Sequence, residues 1–366
     1  MKKRIMALAL AAVMAVSVSG CGLGAKQASK VSSGKGAELS LVTDVGSIDD
    51  RSFNQGSWEG LVQYAEEHDI SRKYYQPTEK SDEACRTAID LAVKGKAKLV
   101  VCPGYLFEVP VYSSQQKYPD TNFIILDGTP HNSDNSDTTI TDNTISIYFA
   151  EEQAGFLAGY AAVKEGYRSL GFMGGIAVPA VIRYGYGYIQ GIDYAAKELG
   201  LSKDEVSVKY TYVGNFDASP ENMAKAASWY NDGVEIIFSC GGPVGNSVMK
   251  AAETAKRKVI GVDVDQYAES PTVITSATKN LQKAVYDVIE DMYNGNFEGG
   301  KSITLTAKEG GVQLPMENSR FEHFTQENYQ EIYDKIAEGS IVIENDTVAD
   351  SADGVPVELT RVEVIK

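Results

Sequence analysis

The chain holds only four cysteines and three histidines in 366 residues, scattered along its length. That is too few for a disulfide framework and too dispersed for a His/Cys zinc cluster. Basic residues are also short: 34 Lys and Arg stand against 50 Asp and Glu, a net charge of −16. The first twenty residues carry Lys2, Lys3 and Arg4 and no acid, so the remainder is more acidic still. Phosphate backbones repel such a surface, which argues against nucleic-acid binding. A Walker A phosphate loop and a Gly-x-Ser-x-Gly nucleophile elbow are both missing. The glycine-rich stretch Gly241-Gly-Pro-Val-Gly245 does not fit the dinucleotide fingerprint. The apolar run Ile5–Val16 is too short for a spanning helix. What remains is an ordinary globular composition, 43% hydrophobic and 23% charged, with length enough for two domains at about 150 residues each.

Three basic residues, the apolar run and the small residues Val18-Ser19-Gly20 lead to Cys21. This resembles a bacterial lipobox, in which the cysteine becomes the acylated N-terminus; Val18 stands where Leu is commoner. A plain secretory signal with a chance cysteine is the alternative. Residues 1–20 are thus expected to be a lipoprotein signal peptide. Residues 21–37, rich in Gly, Ser, Ala and Lys, are expected to be a flexible tether holding a soluble body on the extracytoplasmic face of the membrane.

From residue 38 strands and helices alternate. Leu39–Thr43, Lys98–Cys102 and Asn122–Leu126 read as buried strands, apolar nearly throughout. Trp58, Leu61, Val62 and Ala65 recur at helical spacing within Ser52–Glu67, and Ser52 and Gln55 have capping-box spacing. Helices are expected near 81–93 and 109–117. The rhythm restarts with a helix at 151–163 and a strand at 169–173. Helices at 184–199, 220–230 and 244–256 then separate strands at 206–213, 235–239 and 258–262. The expected fold is α/β, with two doubly wound parallel-sheet lobes and a ligand in the cleft between them.

Ligands of such sheets bind beyond the carboxyl ends of the strands. Those segments hold Asp44 to Gln55, Pro103-Gly-Tyr105, Asp127-Gly128, Gly174-Gly175, Gly214 to Asp217, Gly241 to Pro243 and Asp263 to Gln266. Carboxylates, amides, aromatics and glycines suit a neutral polar ligand with a flat ring better than a phosphate.

The stretch Thr43-Asp44-Val-Gly-Ser-Ile-Asp-Asp-Arg-Ser-Phe-Asn-Gln55 resembles the basic membrane protein (BMP) family of substrate-binding lipoproteins, which includes purine-nucleoside receptors of ABC transporters. The likeness continues through Phe156-Leu-Ala-Gly-Tyr160, Gly171-Phe-Met-Gly-Gly175, Val259-Ile-Gly-Val-Asp263, Thr275-Ser-Ala-Thr-Lys-Asn280 and Glu309-Gly-Gly-Val312. It implies a type I periplasmic-binding-protein-like fold. The first lobe would take 38–148 plus 277–300, and the second 149–276 plus 301–366. It further implies that Phe53 and Phe216 sandwich a purine base and that Asp44 and Asn54 bond its polar edge, with Asp127 close by. Asp263 would take ribose hydroxyls, assisted by Lys279 and the Gly242 N–H, and Lys279 would also hold Asp263 in place. The implied partners are a purine nucleoside, a membrane permease and its ATPase, with the receptor monomeric and without cofactor or metal.

Two features depart from relatives. Many relatives carry Gly-Gly-Thr-Gly where this chain has Gly242-Pro-Val-Gly245, and Pro243 removes a backbone donor. Tyr184-Gly-Tyr-Gly-Tyr188 is unusual and is expected to be helix-face packing. Cys102 and Cys240, each ending a strand, read as small buried groups. Other readings are a binding protein for a sugar or modified nucleoside, or a nucleoside hydrolase. The hydrolase's calcium-binding Asp cluster would need an acid where this chain has Gly46, leaving too few oxygen ligands.

Overall fold

A computed structural model describes residues 36–44 and 46–365; the expected signal peptide, Cys21 and most of the expected tether lie outside them. The first series runs β1 (Leu39–Val42), α1 (Phe53–Glu67), β2 (Arg72–Tyr75), α2 (Asp82–Lys94), β3 (Leu99–Pro103), α3 (Glu108–Lys117), β4 (Asn122–Leu126) and β5 (Thr144–Phe149). The second runs α4 (Glu151–Glu165), β6 (Ser169–Gly174), α5 (Pro179–Glu198), β7 (Ser207–Tyr212), α6 (Pro220–Asn231), β8 (Ile236–Cys240), α7 (Val244–Ala255), β9 (Lys258–Asp263) and β10 (Val273–Lys279). After them come α8 (Leu281–Tyr293), β11 (Lys301–Leu305), β12 (Val312–Gln313), α9 (Gln326–Ala337) and β13 (Arg361–Val364).

Two sheets result, ordered β11-β5-β4-β3-β1-β2 and β12-β10-β9-β8-β6-β7-β13. All neighbours are parallel except β10 and β12. The central strands β3 and β8 are buried at every residue, as strands covered by helices on both faces must be. In each sheet the strand order reverses at the first strand of its series. That opens a crevice beside β1 in one lobe and beside β6 in the other.

Helices α4 and α5 cross at backbone contact. A Cβ on Gly187 would lie 1.9 Å from the Glu152 carbonyl oxygen, and one on Gly155 would lie 2.1 Å from that of Tyr184. Tyr184, Tyr186 and Tyr188 between and beside these glycines are all buried, so the Tyr-Gly alternation is a packing device. The helix begins at Pro179, earlier than residue 184, because proline suits the first helical turn.

Three sequence expectations change. Lys301–Leu305 pairs with β5 in the first sheet, whereas the sequence reading put it in the second lobe. As a half-exposed edge strand it lacks the apolar signature of its neighbours. Residues 277–279, expected in the first lobe, stay in the second sheet, where Ala277 and Thr278 pair with β9. The Ser52/Gln55 capping box does not form: Ser52 makes no side-chain cap bond. Asp50 caps α1 instead, accepting the N–H groups of Ser52 (2.9 Å), Asn54 (3.0 Å) and Gln55 (3.0 Å).

Candidate functional site

The carboxyl ends of both sheets converge on a cavity of about 230 Å³. Asp44, Phe53, Asn54, Asp127, Phe216, Gly242, Asp263 and Lys279 all line it, together with Asp50, Ser52, Tyr184 and Cys240. From the first sheet, Asp44 follows β1, Phe53 opens α1 and Asp127 follows β4. From the second, Phe216 follows β7, Gly242 follows β8, and Asp263 and Lys279 end β9 and β10.

The two aromatic walls are seated on glycines. The Phe216 ring lies against Gly175, where a Cβ would come within 2.3 Å of it. Phe53 lies beside Gly104, whose φ of 106° few other residues adopt. Asp127 and Asp263 also have left-handed backbones, with φ of 52° and 66°. Both stand where the chain leaves a strand and turns its side chain to the cavity, a conformation costly for residues with a Cβ.

Asn54 is more engaged than the sequence suggests. Its amide donates both hydrogens inside the protein, to Asp44 Oδ1 (2.9 Å) and Asp50 Oδ2 (2.9 Å). Asp44 Oδ1 also accepts from the Gly46 N–H at 2.6 Å. Asn54 thus aims Asp44, and the free acceptor capacity at this corner belongs to Asp44.

Lys279 is bonded differently from the sequence expectation. Its ammonium pairs with Asp127, and with Glu151 at 2.8 Å, rather than with Asp263. It also sits over the Phe53 ring, 4.9 Å from the centroid. Asp263 is held by Ser52, whose hydroxyl donates to Asp263 Oδ2 at 2.5 Å. Burial raises the Asp263 pKa above the usual carboxylate range, against the pull of the Lys279 charge. Burial disfavours the Lys279 ammonium, but Asp127, Glu151 and Asp263 outweigh it and hold its pKa above the ordinary value.

Sequence reasoning missed Glu151, which is fully buried and also takes Arg183 Nε at 2.6 Å. It missed Ser52's reach to the other lobe, having assigned that hydroxyl to capping. It named Gln266 only as part of a strand-end segment, as a hinge or rim group. That amide bridges the lobes, donating to the Arg51 carbonyl at 2.8 Å and accepting from the Val262 N–H at 3.1 Å. No sequence spacing reports such pairings, since the partners lie up to 215 residues apart. Cys240 is a buried free thiol in the wall, and burial holds its pKa well above the usual range, making it unreactive.

Two doubly wound lobes with a polar and aromatic cleft at their strand ends define the architecture of the solute-binding proteins. Among solved structures, a solute-binding protein of an ABC transporter system from Aeropyrum pernix K1 superposes with a TM-score of 0.72, at 23% identity over 86% of this chain and 95% of that one. A second, from Conexibacter woesei DSM 14684, gives 0.68 at 19% identity, covering 85% of this chain and 99% of that one. The chain belongs to the Bmp family, described as ABC transporter substrate-binding protein PnrA-like, whose model matches residues 37–347. It is 30% identical to the ABC transporter nucleoside-binding protein BmpA of Lactococcus lactis, over 88% of this chain and 94% of that protein. It is 29% identical to basic membrane protein D of Borreliella burgdorferi, over 81% and 82% of the two chains. Among the described residues no helix is long and apolar enough to cross a membrane.

Proposed function

We propose that this protein is a lipid-anchored extracytoplasmic receptor that binds purine nucleosides such as adenosine, guanosine or inosine. It would bind them chemically unchanged and deliver them to the permease of an ABC transporter. The observation that carries this reading is the pairing of walls: Phe53 from one lobe and Phe216 from the other line one cavity that also holds the carboxylates of Asp44, Asp50, Asp127, Asp217 and Asp263. A flat heterocycle stacks between rings, and acceptor-only carboxylates favour its N–H edge and the sugar's O–H groups. Asp44 would take the base edge, Asp263 and the Gly242 N–H the ribose, and Lys279 and Asp127 the floor between them. The nucleoside-binding relative from Lactococcus lactis supports the same ligand class. Ligand contacts from both lobes favour the closed state, which the permease would recognise. Cys21 would carry the acyl anchor, and the receptor would act as a monomer.

The test is a thermal-shift and calorimetry panel of purine nucleosides, pyrimidine nucleosides, free bases, nucleotides and sugars. Purine nucleosides at 100 times their dissociation constant should stabilise the protein by about 2.7 kcal/mol. Stabilisation by sugars alone overturns the reading, as does release of free base from nucleoside.

A further inference from the structure

Lys279 is shared between two carboxylates of unequal standing. Asp127 lines the cavity, and among the described residues its buried Oδ1 has no hydrogen-bond partner. Glu151, behind the wall at the start of α4, has a second cation in Arg183, which also reaches Asp346 at 3.6 Å. The cluster sits where the chain passes between lobes: Glu151 follows the end of β5, and Lys279 is the last residue of β10 before α8.

One ammonium cannot satisfy two buried carboxylates equally. Glu151 keeps its charge because Lys279 and Arg183 together outweigh its burial, and its pKa is lowered. Among the described residues, Asp127 is in direct contact with one cation, its share of Lys279. Burial raises its pKa, Lys279 opposes this, and the Glu151 charge adds to the rise. The Arg183 charge also pulls the Asp127 pKa down, more weakly than Lys279 does. Tyr184 and Tyr148 are phenols whose own pKa values are pushed up by burial. Glu108 on α3 is occupied by the Thr129 N–H at 3.0 Å and by His131 at 3.4 Å.

We propose that Glu151 is a positioning residue that acts through Lys279 to set the charge on Asp127, and so makes the grip of the cleft depend on pH. This rests on the reading of the cleft as the ligand site. Ionised, Asp127 Oδ1 only accepts hydrogen bonds; protonated, it can donate one. A ligand presenting N–H or O–H to Asp127 is therefore held best above the Asp127 titration and loses affinity as pH falls through it.

The experiment follows the Asp127 carboxyl carbon by NMR from pH 5 to 9 in the ligand-free full chain, assigned with Asp127→Asn. In Glu151→Gln, Lys279 turns wholly to Asp127, and the midpoint should fall by about one pH unit or more. In Arg183→Gln, Glu151 draws harder on Lys279 and a cation is lost, so the midpoint should rise. Glu151→Asp, which keeps the charge, should move it less than Glu151→Gln. Opposite shifts in Glu151→Gln and Arg183→Gln exclude general loosening, which cannot give two signs. They support the proposal if the Glu151→Gln shift shrinks in a Lys279→Gln background. A shift of the same size there overturns it, since it would come from the Glu151 charge directly. An unmoved midpoint, or shifts of the same sign, overturns it. Calorimetric titration with inosine across the same range should show affinity following the same midpoints. If inosine does not bind wild type, the nucleoside reading fails while the NMR titration still decides the role of Glu151.

Discussion

The Ser52 hydroxyl donates to Asp263 Oδ2 across the cleft at 2.5 Å, joining the start of α1 in one lobe to the end of β9 in the other. Both residues are buried, so the bond is shielded from competing water. It leaves the other Asp263 oxygen for the proposed ribose contact and fixes where that oxygen points. Replacing Ser52 with Ala should weaken inosine binding about tenfold or more, the cost of a lost hydrogen bond to a charged group. Hypoxanthine, which lacks the sugar, should bind the variant and wild type alike. Paired calorimetry of the two ligands checks this; equal losses for both would show that Ser52 does not act through the ribose contact.

Phe53→Ala removes one wall of the stack. A lost aromatic–base contact costs about 1–3 kcal/mol, so nucleoside affinity should drop about 5- to 150-fold. Unchanged affinity by calorimetry, in a variant shown folded by circular dichroism, would refute the stacking role.

The alternation of strands and helices, and which strand ends approach the ligand, were legible because apolar runs and turn residues are local signals. The eight proposed binding residues, all of which line one cavity, came from a motif resemblance joined to that strand-end rule. Pairing was not legible. Lys279 was matched with Asp263, and its ammonium reaches Asp127 and Glu151 instead, a choice made by how the end of β4, the start of α4 and the end of β10 meet in space. Ser52 was read as a cap because its spacing to Gln55 fits one, yet Asp50, two residues earlier, supplies the cap and frees the hydroxyl. The edge strand β11 was misplaced because half-exposed strands carry little apolar pattern.

The α4–α5 crossing tolerates no side chain at Gly187. Gly187→Ala places a methyl 1.9 Å from the Glu152 carbonyl oxygen, so the helices must part. A loss of about 1–3 kcal/mol is expected from overpacking, read as a lower urea midpoint. A midpoint equal to wild type would mean that the crossing yields more easily than its spacing indicates.

Asp193 on α5 ties down the last strand. Its carboxylate accepts the N–H groups of Leu359 (2.8 Å), Thr360 (2.9 Å) and Glu358 (3.1 Å), and pairs with Lys197 at 3.0 Å. Burial opposes its charge, but those donors outweigh it and lower its pKa. The folded value thus lies below the unfolded value of about 3.9. The stabilisation is present above the unfolded value and is lost as pH falls through the folded one. Asp193→Asn should cost about 1.5–3 kcal/mol near neutral pH, with the gap to wild type closing below about pH 4. Urea melts at pH 7 and pH 3 measure both, and a gap that does not narrow on acidification would contradict this account.

The backbones of Asp127 and Asp263 carry a further consequence. At φ of 52° and 66°, each would rest more comfortably as glycine. A glycine would relax either bend yet leave a buried partner alone, the Lys279 ammonium at one and the Ser52 hydroxyl at the other, so the strain at both turns is matched by what each carboxylate grips.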